Sequence, residues 1–487
     1  MENVNVLKKN TAKGFAWSTF SKFYTLLAQF FITLILARLL VPDDFATIGL
    51  LNFFTLLSNV LIDSGFAQAL IRENDLTSKD YSSVFYFNLV AGLVIYMILF
   101  ISAPYISAYF HIPELKIISR ILFVQIIFYS LSIVPRSILS REMRFKELSM
   151  SSIISITLSS VLAVATALFG LGVYALVIQL LSLSLLDSLI VRLLSKWKLT
   201  LDFSFESVRR LLKFSIYLLF TSLFVTFFNN LYTIIIGRYY SQSQLGYYTQ
   251  SKRIEEIASL SITTMIVNVS YTAMAKVKED ISLLKKAYQR ILAINLYVVL
   301  PIMTYGVISA DILIPLLLGD QWTCSIPYFK ILCVYGAIFP LMSMNGNILK
   351  VMGMGGRFML LEVVRRVLMI LFIALTIKHS IELMLWGWVA SMFLSILFSF
   401  ILCGKPINYG FWNQITDIVP YIIVSVIAAI IPYTISKTEL FSDFVMLVVM
   451  GILYFGVYLL ASNFIKLQAF NDFNIYIKKG MVHIKSN

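Results

Sequence analysis

Charged residues inside apolar runs are the parts of this chain that could do chemistry. Lys22, Asp63, Arg120, Asp187 and the cluster Lys252, Arg253, Glu255 and Glu256 all sit in or at the mouths of such runs. A charge near the centre of a bilayer costs about 2.5–3.5 kcal/mol on insertion scales, which makes each a candidate for binding or coupling. Cationic side chains there suit an anionic group, and carboxylates suit a proton, sodium or an organic cation. Lys22 lies about eight residues into its run and Asp63 about eight from the end of the next. At ~1.5 Å per residue both come to roughly 12 Å from the same face. One reading pairs them; the other has Lys22 snorkelling to the headgroups. In TQSKRIEEIA, Lys252 is near both Glu255 and Glu256, and Arg253 is one turn from Glu256, either as a self-paired group or as a cationic contact exposed when the glutamates move. Arg120 and Asp187 are cavity or interface positions.

The elements that must carry these charges are transmembrane helices. The chain has 487 residues, 59% hydrophobic and only 13% charged, against about 25% charged in soluble domains, and a mean hydropathy of +0.86. Apolar runs of about 20 residues recur from residue 14 to residue 465 and predict about fourteen helices. The first run is too long for a cleaved signal peptide and stays as a span. A net charge of +14 reads as basic cytoplasmic links, not as nucleic-acid binding, and no nucleic-acid motif is present. Alternate links are richer in Lys and Arg by about four to one, which puts both termini in the cytoplasm.

Cys324, Cys333 and Cys403 have no metal-ligand spacing and read as small core residues. His111, His379 and His483 lie at links and tail and offer no proton relay; no P-loop exists for direct ATP use. Asp43 and Asp44, in the corner VPDD, suit a helix N-cap, with an acid of a membrane glycosyltransferase or ligase as the rival reading. The NGN at 345–347 either turns carbonyls toward a cavity or marks a helix end.

The chain also repeats. ILARLLVPDDFATIG aligns without a gap with IIGRYYSQSQLGYYT, placing Arg38 on Arg238; Pro135 then echoes Pro340, and RFKELS at 144–149 echoes RFMLLE at 357–362. Two parallel halves follow, with substrate expected between them. The expected divisions are an N-terminal half at 1–199, an amphipathic interfacial linker at 200–212, a C-terminal half at 213–404, and accessory helices with a cytoplasmic tail at 405–487. In the linker, Val208, Leu211 and Leu212 share one face, and Arg209, Arg210 and Lys213 lie off it.

ARLLVPDDFATIGL with DSGFAQALI behind it, then SREMRFKELS, LGYYTQSKRI and LGDQW, resembles the polysaccharide repeat-unit flippases of the Wzx type, in the multidrug/oligosaccharidyl-lipid/polysaccharide (MOP) exporter superfamily. The resemblance implies an all-α fold of two six-helix halves in a V around a central cavity, plus two accessory helices. It implies alternating-access transfer of an undecaprenyl-diphosphate-linked oligosaccharide across the bacterial inner membrane, with membrane lipids and polysaccharide-assembly proteins as partners. No cofactor is implied; coupling to a sodium or proton gradient is left open. On this likeness Lys22, Lys252 and Arg253 fall in the regions where related lipid II flippases hold the diphosphate, and substrate diphosphate would compete with Asp63 for Lys22. A cation-coupled drug or metabolite antiporter of the same superfamily is the alternative, and Asp63 is the residue that favours it.

Overall fold

The computed structural model describes residues 2–73, 75–437 and 441–472. The side chain of Lys213 and the tail beyond Asp472, with His483, lie outside the described residues. All regular structure among the described residues is helical. The chain forms two compact units, 1–249 and 250–487.

The first unit contains α1 (Glu2–Leu39), α2 (Pro42–Asp63), α3 (Phe66–Arg72), α4 (Ser78–Phe110), α5 (Leu115–Leu122), α6 (Gln125–Arg141), α7 (Phe145–Leu168), α8 (Tyr174–Ser195), α9 (Phe205–Asn229) and α10 (Leu231–Tyr239), and ends inside α11 (Gln242–Ala258). The second holds the rest of α11, then α12 (Leu260–Lys276), α13 (Ile281–Leu318), a 3-10 turn Asp320–Ser325, α14 (Ile326–Val351), α15 (Gly355–Thr376), α16 (Ile381–Gly404), α17 (Phe411–Ile435) and α18 (Asp443–Phe464). Among the described residues twelve spans are long and apolar enough to cross a membrane, and thirteen if Phe205–Leu212 and Ser215–Asn229, which meet at 59°, count as one. The remaining expected span, α15, carries Arg357, Glu362, Arg365 and Arg366 and stands apart for that reason.

The gap-free repeat has a backbone counterpart. α1 ends one residue before Leu40 and α10 one before Tyr240; α2 starts at Pro42 and α11 at Gln242. The N–H of Val41 donates to Asp44 Oδ2 at 3.2 Å, and the N–H of Ser241 donates to Gln244 Oε1 at 3.2 Å. Asp44 thus holds an otherwise orphaned donor at a helix start. Asp43 Oδ1 accepts the Ser243 hydroxyl at 2.6 Å, tying the two corners together. Gly246 makes this approach possible, because a Cβ there would stand 2.0 Å from the Pro42 carbonyl oxygen.

The later echo has a different register. Met143 (φ 55°) and Gly353 (φ 68°) are both left-handed. The next residues, Arg144 (φ −83°, ψ 56°) and Met354 (φ −84°, ψ 56°), precede α7 and α15. Their N–H groups donate five residues back, to Leu139 and Leu349, at 2.9 Å each. Arg144 is therefore matched by Met354 and not by Arg357; the paired Arg-Phe letters coincide without sharing a backbone position.

α9 starts as the amphipathic segment expected at the seam. Val208 and Leu211 are buried with Phe66, Leu70, Val84 and Phe85, and Arg209 and Arg210 are exposed. Arg210 reaches Asp80 at 2.9 Å. The apolar face is thus covered by protein of the first unit, because α9 packs on α2, α3 and α4. The division at 1–199, 200–212 and 213–404 follows the repeat of the sequence, whereas packing keeps α9, α10 and the start of α11 with the first unit.

Candidate functional site

Both units place a carboxylate beside a break in their second repeat helix. In the first unit Ser64 (φ 44°) and Gly65 (φ 77°) are left-handed and separate α2 from α3. A Cβ on Gly65 would also stand 2.9 Å from Ser215 Cβ. Asp63, the last residue of α2, accepts the Ala67 N–H at 3.0 Å and so caps α3. This replaces the expected Lys22–Asp63 pair: the two residues form no ion pair. The reason lies in the packing of α1, which runs along α7. Gly14 sits on Phe145, the Tyr24 hydroxyl meets Thr157 Oγ1 at 2.8 Å, and Ser149 donates to the Trp17 carbonyl at 3.1 Å. That orientation leaves Lys22 exposed, with no hydrogen bond or ion pair among the described residues.

Asp187 is part of a network instead of standing alone. It pairs with Arg136, and its other carboxylate oxygen accepts the Ser151 hydroxyl at 2.9 Å. Tyr129 lies in the fields of both Asp63 and Arg136. Arg136, in α6, is thereby paired within the first unit although its side chain stays partly exposed. Arg120 is separate from this network: its Nε donates to the Phe100 carbonyl at 3.3 Å, and its guanidinium lies 4.3 Å from the centre of the Phe100 ring.

In the second unit the expected cluster on α11 is brought together and enlarged. Lys252 approaches Glu256 at 3.8 Å and lies 5.9 Å from the centre of the Trp388 ring. Trp388 in turn sits 4.4 Å from Tyr335. Tyr335 feels Lys252, Glu255, Arg365 and Arg366. Glu362 accepts from Arg365 at 2.6 Å and lies 3.8 Å from Arg366. Glu255 is only 4% exposed, and its Oε1 is so near Gly336 that a Cβ there would stand 2.3 Å away. Ser259, at the α11–α12 break, donates to the Gly336 carbonyl at 2.9 Å. Arg253 lies in the field of Glu256 but makes no hydrogen bond or close ion pair among the described residues.

Sequence reasoning missed Arg365, Arg366, Glu362, Tyr335 and Trp388. The charged members had a signal: charges at i, i+3 and i+4 in the middle of a 22-residue helix whose one other charge, Arg357, lies in its first turn. The aromatic pair had none, because its members come from different helices among many aromatics. The NGN segment is neither a helix end nor an exposed carbonyl stretch. α14 continues through it, the Asn345 side chain accepts from Tyr288 and donates to Ser399, and its carbonyl accepts from Cys403.

The family described as "Polysaccharide biosynthesis protein" matches residues 35–327, more than half of the chain. The chain belongs to that family. The matched region contains both corners, both broken helices and the α11 cluster. Among curated relatives of this family member, the teichuronic acid biosynthesis protein TuaB of Bacillus subtilis is 23% identical over 71% of this chain and 72% of its own length. The succinoglycan biosynthesis transport protein ExoT of Rhizobium meliloti is 24% identical over 71% and 70%. The lipopolysaccharide biosynthesis protein WzxC of Escherichia coli is 19% identical over 68% of each. The fold is similar to that of the lipid II flippase MurJ in an inward closed conformation, with a TM-score of 0.75, 14% identity, and coverage of 92% of this chain and 98% of that one. It is also similar to an inward-facing multidrug-resistance MATE transporter of the MOP superfamily, with a TM-score of 0.64, 16% identity and coverage of 79% and 94%. The polysaccharide biosynthesis family member is thus an all-α, multi-pass membrane protein with the MOP fold.

Proposed function

We propose that this protein is a flippase for surface-polysaccharide assembly, transferring undecaprenyl-diphosphate-linked oligosaccharide units from the cytoplasmic to the outer leaflet of the bacterial inner membrane by alternating access. The observation that carries the reading is the presence, in each unit, of a cation within a span that forms no hydrogen bond or close ion pair among the described residues: Lys22 in the first and Arg253, which only feels the field of Glu256, in the second. A lone cation in an apolar span is costly, and a diphosphate would remove that cost by accepting charge-assisted hydrogen bonds. The family match and the similarity to TuaB, ExoT, WzxC and MurJ support the substrate class. The Tyr335–Trp388 pair beside Lys252 adds a stacking surface suited to sugar rings. Both termini lie in the cytoplasm, and polysaccharide-assembly proteins take up the product. The protein acts by transport and not by catalysis: the Asp43 and Asp44 side chains that an external glycosyltransferase site would use already hold the two corners.

Removal of the gene in its host tests this. The expected result is loss of a surface polysaccharide with its lipid-linked unit accumulating on the cytoplasmic leaflet; unaltered surface glycan overturns it. One observation favours a second reading, a cation-coupled multidrug or metabolite antiporter: Asp63 and Glu255 put one carboxylate beside each broken helix, a suitable place for an ion. Drug resistance on overexpression, with surface glycans unaffected, would select it.

A further inference from the structure

A cavity of about 210 Å³ lies in the second unit, where the start of α13, the start of α17 and the residues after α18 meet. Leu292, Leu296 and Tyr421 are among its apolar walls; Gln289, Asp417 and Lys466 are polar. At roughly 30 Å³ per water it has room for a small polar group of a few heavy atoms, far less than a glycan. It lies beside the ends of two apolar spans, α17 and α18. Trp412, in the first turn of α17, is 73% exposed and Phe464, the last residue of α18, is 88% exposed. A bare tryptophan at a span end is suited to the headgroup level, and Phe464 offers an apolar surface to lipid.

Neither charge of the cavity is neutralised by an opposite charge among the described residues. Asp417 accepts from Gln289 Nε2 at 2.7 Å and from the Tyr409 hydroxyl, both neutral donors, and forms no ion pair among the described residues. Burial first, then the hydrogen bond to Asp417 and its charge, hold the Tyr409 phenol well above its usual range, so it remains a donor. Lys466, left-handed at φ 56°, also forms no ion pair among the described residues. The nearby cations have other partners: Arg290 binds Asp472 at 2.7 Å, and Lys285 donates to the Asn408 carbonyl at 2.9 Å.

We infer that this cavity binds the headgroup of an aminophospholipid of the phosphatidylethanolamine type, its ammonium on Asp417 and its phosphate on Lys466. A zwitterion with a hydrogen-bonding ammonium satisfies both charges at once. A choline group has no N–H to donate to the carboxylate, and a glycerol headgroup brings no cation. The acyl chains leave along the exposed apolar flanks of α17 and α18. The inference is independent of which molecule the protein transports.

The test is native mass spectrometry of the delipidated full-length protein in mild detergent, titrated separately with phosphatidylethanolamine, phosphatidylcholine, phosphatidylglycerol and soluble phosphoethanolamine. The expected result is one retained phosphatidylethanolamine, favoured about tenfold over the other two lipids. Asp417→Asn keeps an acceptor for Tyr409 and Gln289, and Lys466→Met removes an ammonium with no ion pair or side-chain hydrogen bond among the described residues; each should reduce that retention about tenfold. Equal retention of the three lipids, or unchanged retention in both variants, overturns the inference. Binding of soluble phosphoethanolamine with no lipid retained overturns the lipid source. If Asp417→Asn fails to fold, Lys466→Met alone decides.

Discussion

Lys22 and Arg253 differ from the other intramembrane cations in forming no hydrogen bond or close ion pair among the described residues. Asp187 has Arg136 and Ser151, Arg120 has a carbonyl and an aromatic face, and Lys252 has Glu256 and Trp388. A hydrogen bond to a charged group contributes about 1.5–3 kcal/mol. Lys22→Ala and Arg253→Ala are therefore each expected to lower flipping of a lipid-linked oligosaccharide by about ten- to a hundredfold in reconstituted vesicles, with the thermal midpoint retained. Normal transport by Lys22→Ala would remove that residue from the substrate path. Glu255 is held differently, by the absence of a side chain on Gly336. Gly336→Ala should destabilise the second unit by about 1–3 kcal/mol through overpacking. Glu255→Ala in the same chain should recover part of that loss, and a double-mutant cycle on thermal midpoints in detergent would measure the coupling.

At the scale of elements, the corners and the broken helices organise the site. The α2 corner carries proline and two aspartates, and the α11 corner carries serine and glutamine, yet both close the same side-chain-to-backbone hydrogen bond. The requirement is for an acceptor three residues after the start, not for a particular residue type. Gly246 is more demanding, since its neighbour is the backbone of Pro42 and cannot rotate aside. Gly246→Ala should lower the unfolding midpoint by several degrees and reduce the folded yield, whereas Gly356→Ala, facing open space, should leave both unchanged. Equal behaviour of the two variants in a size-exclusion and thermal-shift assay would show that the corners are not tightly joined.

For the molecule as a whole, the proposed orientation can be read from a natural probe. Cys324 is exposed, in the turn between α13 and α14, whereas Cys333 and Cys403 are buried. With both termini in the cytoplasm, that turn faces outward. A membrane-impermeant maleimide is thus expected to label Cys324 in intact spheroplasts, with no labelling in Cys324→Ser; labelling only after lysis would invert the topology.

The sequence by itself determined the membrane class, the positions of the helices and the repeat at the corners. These follow from hydropathy and from residues that act over one helical turn, and both are local. It also placed Lys252, Arg253, Glu255 and Glu256 together, because they share a single helix. Only the tertiary structure decided the partners of the other charges. Depth along a helix is fixed by counting residues, but its rotation is fixed by the surface it packs on. α1 lies along α7, which turns Lys22 away from Asp63, and Asp63 is free to cap α3. In the same way Arg136 of α6 pairs with Asp187 of α8, and Tyr335 meets Trp388 across two helices. The register of the second Arg-Phe motif was decided by left-handed turns at Met143 and Gly353, whose alignment depends on backbone hydrogen bonds and not on matching letters.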